Sequence, residues 1–217
     1  MGKIVIQVEH AVKKFKETTA LKDVSVNFEN GKIYGLVGRN GSGKTVLLKS
    51  ICGFVPLTSG MIKVDGKVIG KEIEVPENIG IIIEEPGFLP NYSGIQNLKF
   101  LAALKGNTDQ EKLENVLTLV GLDARSKKKV GKYSMGMRQR LGIAQAIMEN
   151  PGILILDEPM NGLDEKGVKE IRELLLKLKN EDRTMIIASH NAEDIDILCD
   201  EVYEMNGGIL GKKVYNL

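Results

Sequence analysis

The chain has 217 residues, 42% of them apolar and 27% charged, which suits one domain with a sizeable core, with or without a modest subdomain, and excludes a disordered chain. Thirty Lys and Arg against 29 Asp and Glu leave a formal net charge of +1, so the global basic field that advertises nucleic-acid binding is missing. Cys52 and Cys199 lie far apart without C-x-x-C spacing, a pattern of reduced thiols and not of a disulfide framework or metal site.

In chain order, Met1 to His10 alternates like a strand and lacks the apolar core and cleavage site of a secretory signal, and Ile6 breaks the myristoylation pattern. Residues 3–9, 22–28 and 61–69 alternate with β-branched side chains near the turn pairs Asn30-Gly31 and Asp65-Gly66, predicting an antiparallel β subdomain. Between them Ile33 to Val37 predicts a short buried strand, and Val46 to Ile51 the start of a helix. From about Tyr92 to Asn150 the spacing turns helical, with Leu98, Leu101 and Ala102, then Leu113, Val116, Leu117 and Val120, divided by Gly106-Asn107-Thr108 and Gly121. Lys127-Lys128-Lys129 reads as a solvated surface turn. Beyond Pro151, the continuous apolar runs Ile153 to Leu156 and Met185 to Ala188 predict strands covered on both faces. The amphipathic helix between them, with Val168, Ile171, Leu174, Leu175 and Leu178 on one face, argues for a parallel sheet. No apolar run approaches the roughly 18 to 20 residues that span a bilayer; candidates such as Ile79 to Ile83 are strand-sized, so a membrane role would run through a partner.

Gly38-Arg39-Asn40-Gly41-Ser42-Gly43-Lys44-Thr45 fits G-x-x-x-x-G-K-S/T and sits between the predicted strand and helix, the context that a phosphate loop requires. Its glycines let successive backbone N–H groups converge on phosphate oxygens, and the helix N-terminus adds positive potential. Lys44 would reach the terminal phosphates, and Thr45 offers a hydroxyl of the kind that ligates Mg²⁺.

Four apolar strands end in groups with chemistry: Gly38 of the loop, Glu84-Glu85, Asp157-Glu158 and Ser189-His190. Ligands of open α/β sheets collect outside the carboxyl ends of the strands. Alternating side-chain direction lets one of Asp157 and Glu158 serve the Mg²⁺ shell while the other orients, or takes a proton from, an attacking water. Alone, an Asp-Glu-Pro sequence reads as a strand-ending turn; beside a phosphate loop it reads as a site. Ser134 is a natural N-cap for the helix that Pro151 closes, and Gly136 lies in its first turn, so Ser134 to Met137 offers a second anion-binding helix start, with plain capping as the simpler alternative.

With these motifs in this order, the chain resembles from end to end the nucleotide-binding subunit of an ATP-binding-cassette (ABC) transporter. Gly38 to Thr45 matches the family's Walker A, Tyr133 to Met137 its signature, Ile153 to Asp157 its Walker B, Glu158 its catalytic carboxylate, Asn161 to Asp164 its D-loop and His190 its switch histidine. Phe15 is similar in position to the aromatic residue on which adenine stacks. The resemblance implies an α/β fold: a P-loop NTPase core with a mostly parallel sheet, an antiparallel β subdomain, and a helical signature subdomain at about residues 88–150, all within a single ABC ATPase domain spanning 1–217. It further implies that ATP and Mg²⁺ are bound by Phe15, Gly38, Asn40, Gly41, Ser42, Gly43, Lys44, Thr45 and Val46, with Thr45, Asp157 and Glu84 around the metal. A head-to-tail homodimer or heterodimer is implied, with Ser134, Gly136 and Asp164 of one subunit closing on nucleotide held by the other. Glu158, His190 and Lys44 are the implied catalytic groups.

Three positions depart from the family pattern. Glu84 stands where glutamine is usual, Met135 and Met137 replace Gly and Gln in the signature, and Val46 replaces a second hydroxyl residue. A carboxylate can serve the metal shell, but it cannot donate a hydrogen bond as an amide does. Glu84 together with the Tyr-Ser-Met-Gly-Met signature is most similar to the bacterial subfamily of peptide-antibiotic export and immunity. The leading expectation is therefore a cytoplasmic ATPase, peripheral on the inner face of the cell membrane, that drives a separate integral membrane permease. A soluble ABC-type ATPase acting on nucleic acid or ribosomes is the alternative, although no nucleic-acid partner is expected, and a small-molecule phosphoryl transferase is a third.

Overall fold

The computed structural model describes residues 2–106, 109–179 and 183–213; Met1 and the helix divider Asn107-Thr108 lie outside the described residues. Two long strands come first, β1 (Ile4–Phe15) and β2 (Thr18–Glu29), followed by β3 (Ile33–Val37), α1 (Lys44–Ile51), the hairpin β4 (Ser59–Val64) and β5 (Lys67–Val68), and β6 (Ile79–Ile82). The helices α2 (Gly94–Leu104), α3 (Gln110–Leu119) and α4 (Met135–Ile147) come next. The chain then alternates β7 (Ile153–Asp157), α5 (Glu165–Lys179), β8 (Thr184–Ala188) and α6 (Ala192–Leu198), and it closes on the hairpin β9 (Glu201–Asn206) and β10 (Ile209–Lys213).

Two sheets result. One is antiparallel, ordered β2-β1-β4-β5; the other is ordered β10-β9-β3-β8-β7-β6, with every pairing from β9 to β6 parallel and only β10 antiparallel. The expected segments 3–9 and 22–28 fall inside longer strands, joined by a turn at Lys16 and Glu17 in which Lys16 is left-handed at φ 49. That turn has no glycine or asparagine to signal it. The stretch 61–69 is a hairpin and not one strand, because Asp65-Gly66 forms its turn.

The apolar strands are continuous because each face packs into a different core. Leu154 and Leu156 of β7, with Met185 and Ile187 of β8, join α2 to α5 on one side. Ile153, Ile155, Ile186 and Ala188 turn to the other side, where Leu47, Leu48 and Ile51 of α1 lie beneath the antiparallel sheet with Ile6, Val8 and Val26. Each such fully buried Leu or Ile contributes about 1.5–3 kcal/mol. Helix α1 is thus buried between the sheets, and its first turn emerges where β3 ends. Gly80 lets the signature helix approach the sheet, since a Cβ there would lie 2.0 Å from the Ala146 carbonyl oxygen of α4.

Candidate functional site

The sheet order β3-β8-β7-β6 brings the four singled-out strand ends to one edge in the sequence Gly38, Ser189-His190, Asp157-Glu158, Glu84. The phosphate loop wraps from β3 into α1, with Gly43 at the helix N-cap in a left-handed conformation of φ 113. A Cβ at Gly43 would sit 2.6 Å from the Ala20 carbonyl oxygen, so only glycine fits this turn without displacing β2. The last hairpin braces the loop from the other side: Gly208 N–H donates to the Ser42 carbonyl at 2.8 Å, while the Gly208 carbonyl accepts from Lys22 N–H.

Lys44 is 7% exposed, and its ammonium donates to the Gly38 carbonyl at 2.6 Å and to the Arg39 carbonyl at 3.2 Å. The loop therefore surrounds its own lysine. Thr45 Oγ1 donates to Asp157 Oδ2 at 3.0 Å, joining the start of α1 to the end of β7. Burial raises the Asp157 carboxyl above its ordinary value; the Thr45 hydrogen bond opposes that shift, and the charges of Glu158 and Glu84 add to it while Lys44 counters. Glu158 adopts a left-handed φ of 50 and places Oε2 2.9 Å from His190 Nδ1. His190 is 76% exposed at its side chain, so it is no core histidine. Backbone strain at such a position accompanies function more often than it accompanies packing.

A cleft of about 850 Å³ opens along this edge, lined by the whole loop from Arg39 to Val46, by Glu84 and by Asp157 and Glu158. The residues present fit a Mg²⁺–nucleotide. Ser42 Oγ is buried without a hydrogen-bond partner, an orphaned hydroxyl aimed from a phosphate loop. Among the described residues there is no cluster of three or more Asp, Glu, His or Cys side chains that could cage a metal alone. Thr45 and Asp157 supply one hydroxyl and one carboxylate, the partial oxygen set that Mg²⁺ completes with phosphate oxygens and water.

Other singled-out residues are not gathered here within one chain. Ser134 Oγ accepts from Met137 N–H, and Asp164 Oδ1 accepts from Gly167 N–H, so each caps the start of a helix. Gly136 lies against the Gly162 carbonyl and is not itself in the cleft lining, although Tyr133 and Met135 of the same segment line the cleft with the phosphate loop. Phe15, 46% exposed at the tip of β1, carries the Lys13 ammonium 4.7 Å over its ring. Three participants escaped the sequence reading. Gln139 Nε2 donates to the Glu158 carbonyl, Lys49 pairs with Glu84, and the β9–β10 turn supports the loop. Only Lys49 had a usable signal, its i+4 spacing from Thr45 on the helix.

Comparison with known proteins adds independent findings. The family model described as ABC transporter matches residues 21–161. The chain is 46% identical over 206 residues to the ABC transporter ATP-binding protein YybJ of Bacillus subtilis (strain 168), covering 95% of this chain and 94% of that one. It is 42% identical to the bacitracin transport ATP-binding protein BcrA of Enterococcus faecalis, covering 97% and 69%. With the lantibiotic transport ATP-binding protein SrtF of Streptococcus pyogenes the identity is 36%, covering 98% and 92%. A dimeric ATP-binding cassette in a post-hydrolysis state, bound to ADP and Pi, shares the fold at a TM-score of 0.86 and 22% identity, over 97% of this chain and 100% of that one.

Proposed function

The chain belongs to the ABC transporter family as an ATP-binding and ATP-hydrolysing subunit, and from that premise we propose that it powers a separate integral membrane permease exporting a peptide antibiotic or bacteriocin. The observation that carries the ATPase half of this reading is the single sheet edge where the phosphate loop, the Thr45–Asp157 bond and the Glu158–His190 pair converge. For the permease, the support is that no helix among the described residues is long and apolar enough to cross a membrane. The named roles of the bacitracin and lantibiotic relatives support the cargo class. On this reading the subunit works at the inner face of the cell membrane.

The chain's own residues divide the work. Backbone N–H groups of Gly41, Ser42 and Gly43, with the flanking Gly38, Asn40 and Val46, cradle the phosphates, and Lys44 exchanges its two carbonyl partners for phosphate oxygens. Phe15 offers its ring to adenine. Thr45 and Asp157 would hold Mg²⁺ and Glu84 would serve its outer shell; the ion would neutralise charge on the phosphoryl oxygens. Glu158 orients water and accepts its proton, and His190 fixes the Glu158 carboxylate and contacts the terminal phosphate. Ser134, Gly136 and Asp164 act across a homodimer or heterodimer, on nucleotide held by the second subunit. None of the three lines the cleft of its own chain, although Tyr133 and Met135 beside them do.

Proteins co-purifying with the chain from gently solubilised native membranes test the proposal, with a salt-washed soluble fraction as control. A stoichiometric polytopic partner is expected. Recovery only with ribosomes or nucleic acid overturns the transporter assignment.

A further inference from the structure

Glu84 closes β6 with a backbone that few non-glycine residues adopt, left-handed at φ 62, and its Oε1 accepts from Lys49 Nζ at 2.6 Å. Lys49 stands on α1 four residues beyond Thr45 and five beyond Lys44, so one buried helix carries the loop lysine, the metal-facing hydroxyl and this second ammonium. The Lys49 side chain is largely covered, at 28% exposure, whereas that of Glu84 is open at 63%. Of the pair, only Glu84 lines the nucleotide cleft, together with Glu85, Asp157 and Glu158. Asp157 and Glu158 already have partners in Thr45 and His190. Glu84 is thus the cleft carboxylate whose partner reaches in from behind, through the helix that carries the phosphate loop.

We propose that Lys49 is a positioning residue for Glu84: an ionic latch that holds the carboxylate against α1 until a divalent cation and nucleotide draw it into the cleft. The inference rests on the reading of Glu84 as an outer-shell ligand of the cation, and it adds a competitor for that carboxylate. Lys49 and the cation are alternative counter-charges for one group, so the latch sets the cation concentration at which nucleotide is retained. An amide at this position would still accept from the ammonium but would carry no opposite charge, a weaker hold than the ion pair, and would give the cation less to compete against.

Equilibrium binding of a fluorescent ATP analogue during Mg²⁺ titration tests the latch, with every protein carrying Glu158→Gln to suppress hydrolysis. Lys49→Met is expected to lower the half-saturating Mg²⁺ concentration by about twofold to fivefold, the range of a partly exposed ion pair. Lys49→Arg is expected to retain the parent value, and Lys49→Met is expected to have no effect once Glu84→Gln is present. A shift of equal size in the parent and in Glu84→Gln, or no shift in the parent, overturns the latch. Failure of the underlying reading shows separately, as a Glu84→Gln protein whose half-saturating Mg²⁺ equals that of the parent. Urea midpoints for each variant separate a folding defect from a changed cation requirement, and Lys49→Arg keeps the test open if Lys49→Met does not fold.

Discussion

Asp157 is the residue at which stability and function pull apart. It sits at the end of a strand buried on both faces, and burial is the main reason its carboxyl is raised, with the Thr45 hydrogen bond only partly compensating. A raised carboxyl favours the folded state in its protonated form. Its contribution is complete below the unfolded value of about 3.8 and is lost as pH rises through the higher folded value. At neutral pH the ionised group is therefore a liability to the nucleotide-free protein. Asp157→Asn is expected to raise the thermal midpoint without nucleotide or Mg²⁺ at pH 7, with a smaller gain near pH 4. The same change weakens Mg²⁺-dependent ATP binding about tenfold or more, a loss on the scale of one charge-assisted interaction. Calorimetry across pH and a binding titration read the two effects separately, and an unchanged midpoint at pH 7 would remove burial as their cause.

Among the elements, α5 and α6 determine how firmly His190 is presented. Arg172 of α5 donates through Nε and Nη2 to Asp194 Oδ1 in the first turn of α6, at 2.8 and 2.6 Å, and the Asp194 side chain is 3% exposed. Helix α6 starts immediately after His190-Asn191, with Asn191 as its cap, so this pair anchors the segment that carries the histidine. Breaking a buried pair by removing one partner strands the other charge. Arg172→Met is thus expected to cost about 3–5 kcal/mol in urea unfolding, and Arg172→Met with Asp194→Asn is expected to recover part of it. The elements also show where sequence reading works. Ile153 to Leu156 and Met185 to Ala188 were legible because strands buried on both faces leave unbroken apolar runs. Hairpin β9–β10 was not, because Glu201, Glu204 and Asn206 interrupt its pattern and, of its strand residues, only Val202 and Met205 are buried. The left-handed Glu84 and Glu158 have no sequence signature at all, since nothing local requires them; tertiary packing does. Ser134 read more simply as a cap than as an anion site, and Asp164 only as a D-loop residue implied by the resemblance; within one chain both serve as caps.

At the scale of the whole molecule, none of Ser134, Gly136 and Asp164 lines the cleft of its own chain, although Tyr133 and Met135 beside them do, and a second subunit is what would bring the three onto nucleotide. Glu158→Gln tests both halves of that reading. Turnover is expected to fall at least tenfold, while Mg²⁺-ATP binding persists and light scattering detects a mass twice that of the 23.8 kDa chain. Full turnover would remove Glu158 from its assigned role, and a tightly binding but monomeric variant would remove the shared site. The hairpin that braces the loop has a consequence of another kind. Strand β3 is flanked by β8 and β9, and the Ser42 carbonyl is held by the N–H of Gly208, 166 positions later in the chain. The loop leaves the ribosome well before the strands and turn that fix its shape. During synthesis, then, the nascent chain carries its binding motif without a formed receptor until β8 and the β9–β10 hairpin have followed, and competence for nucleotide arrives only with them.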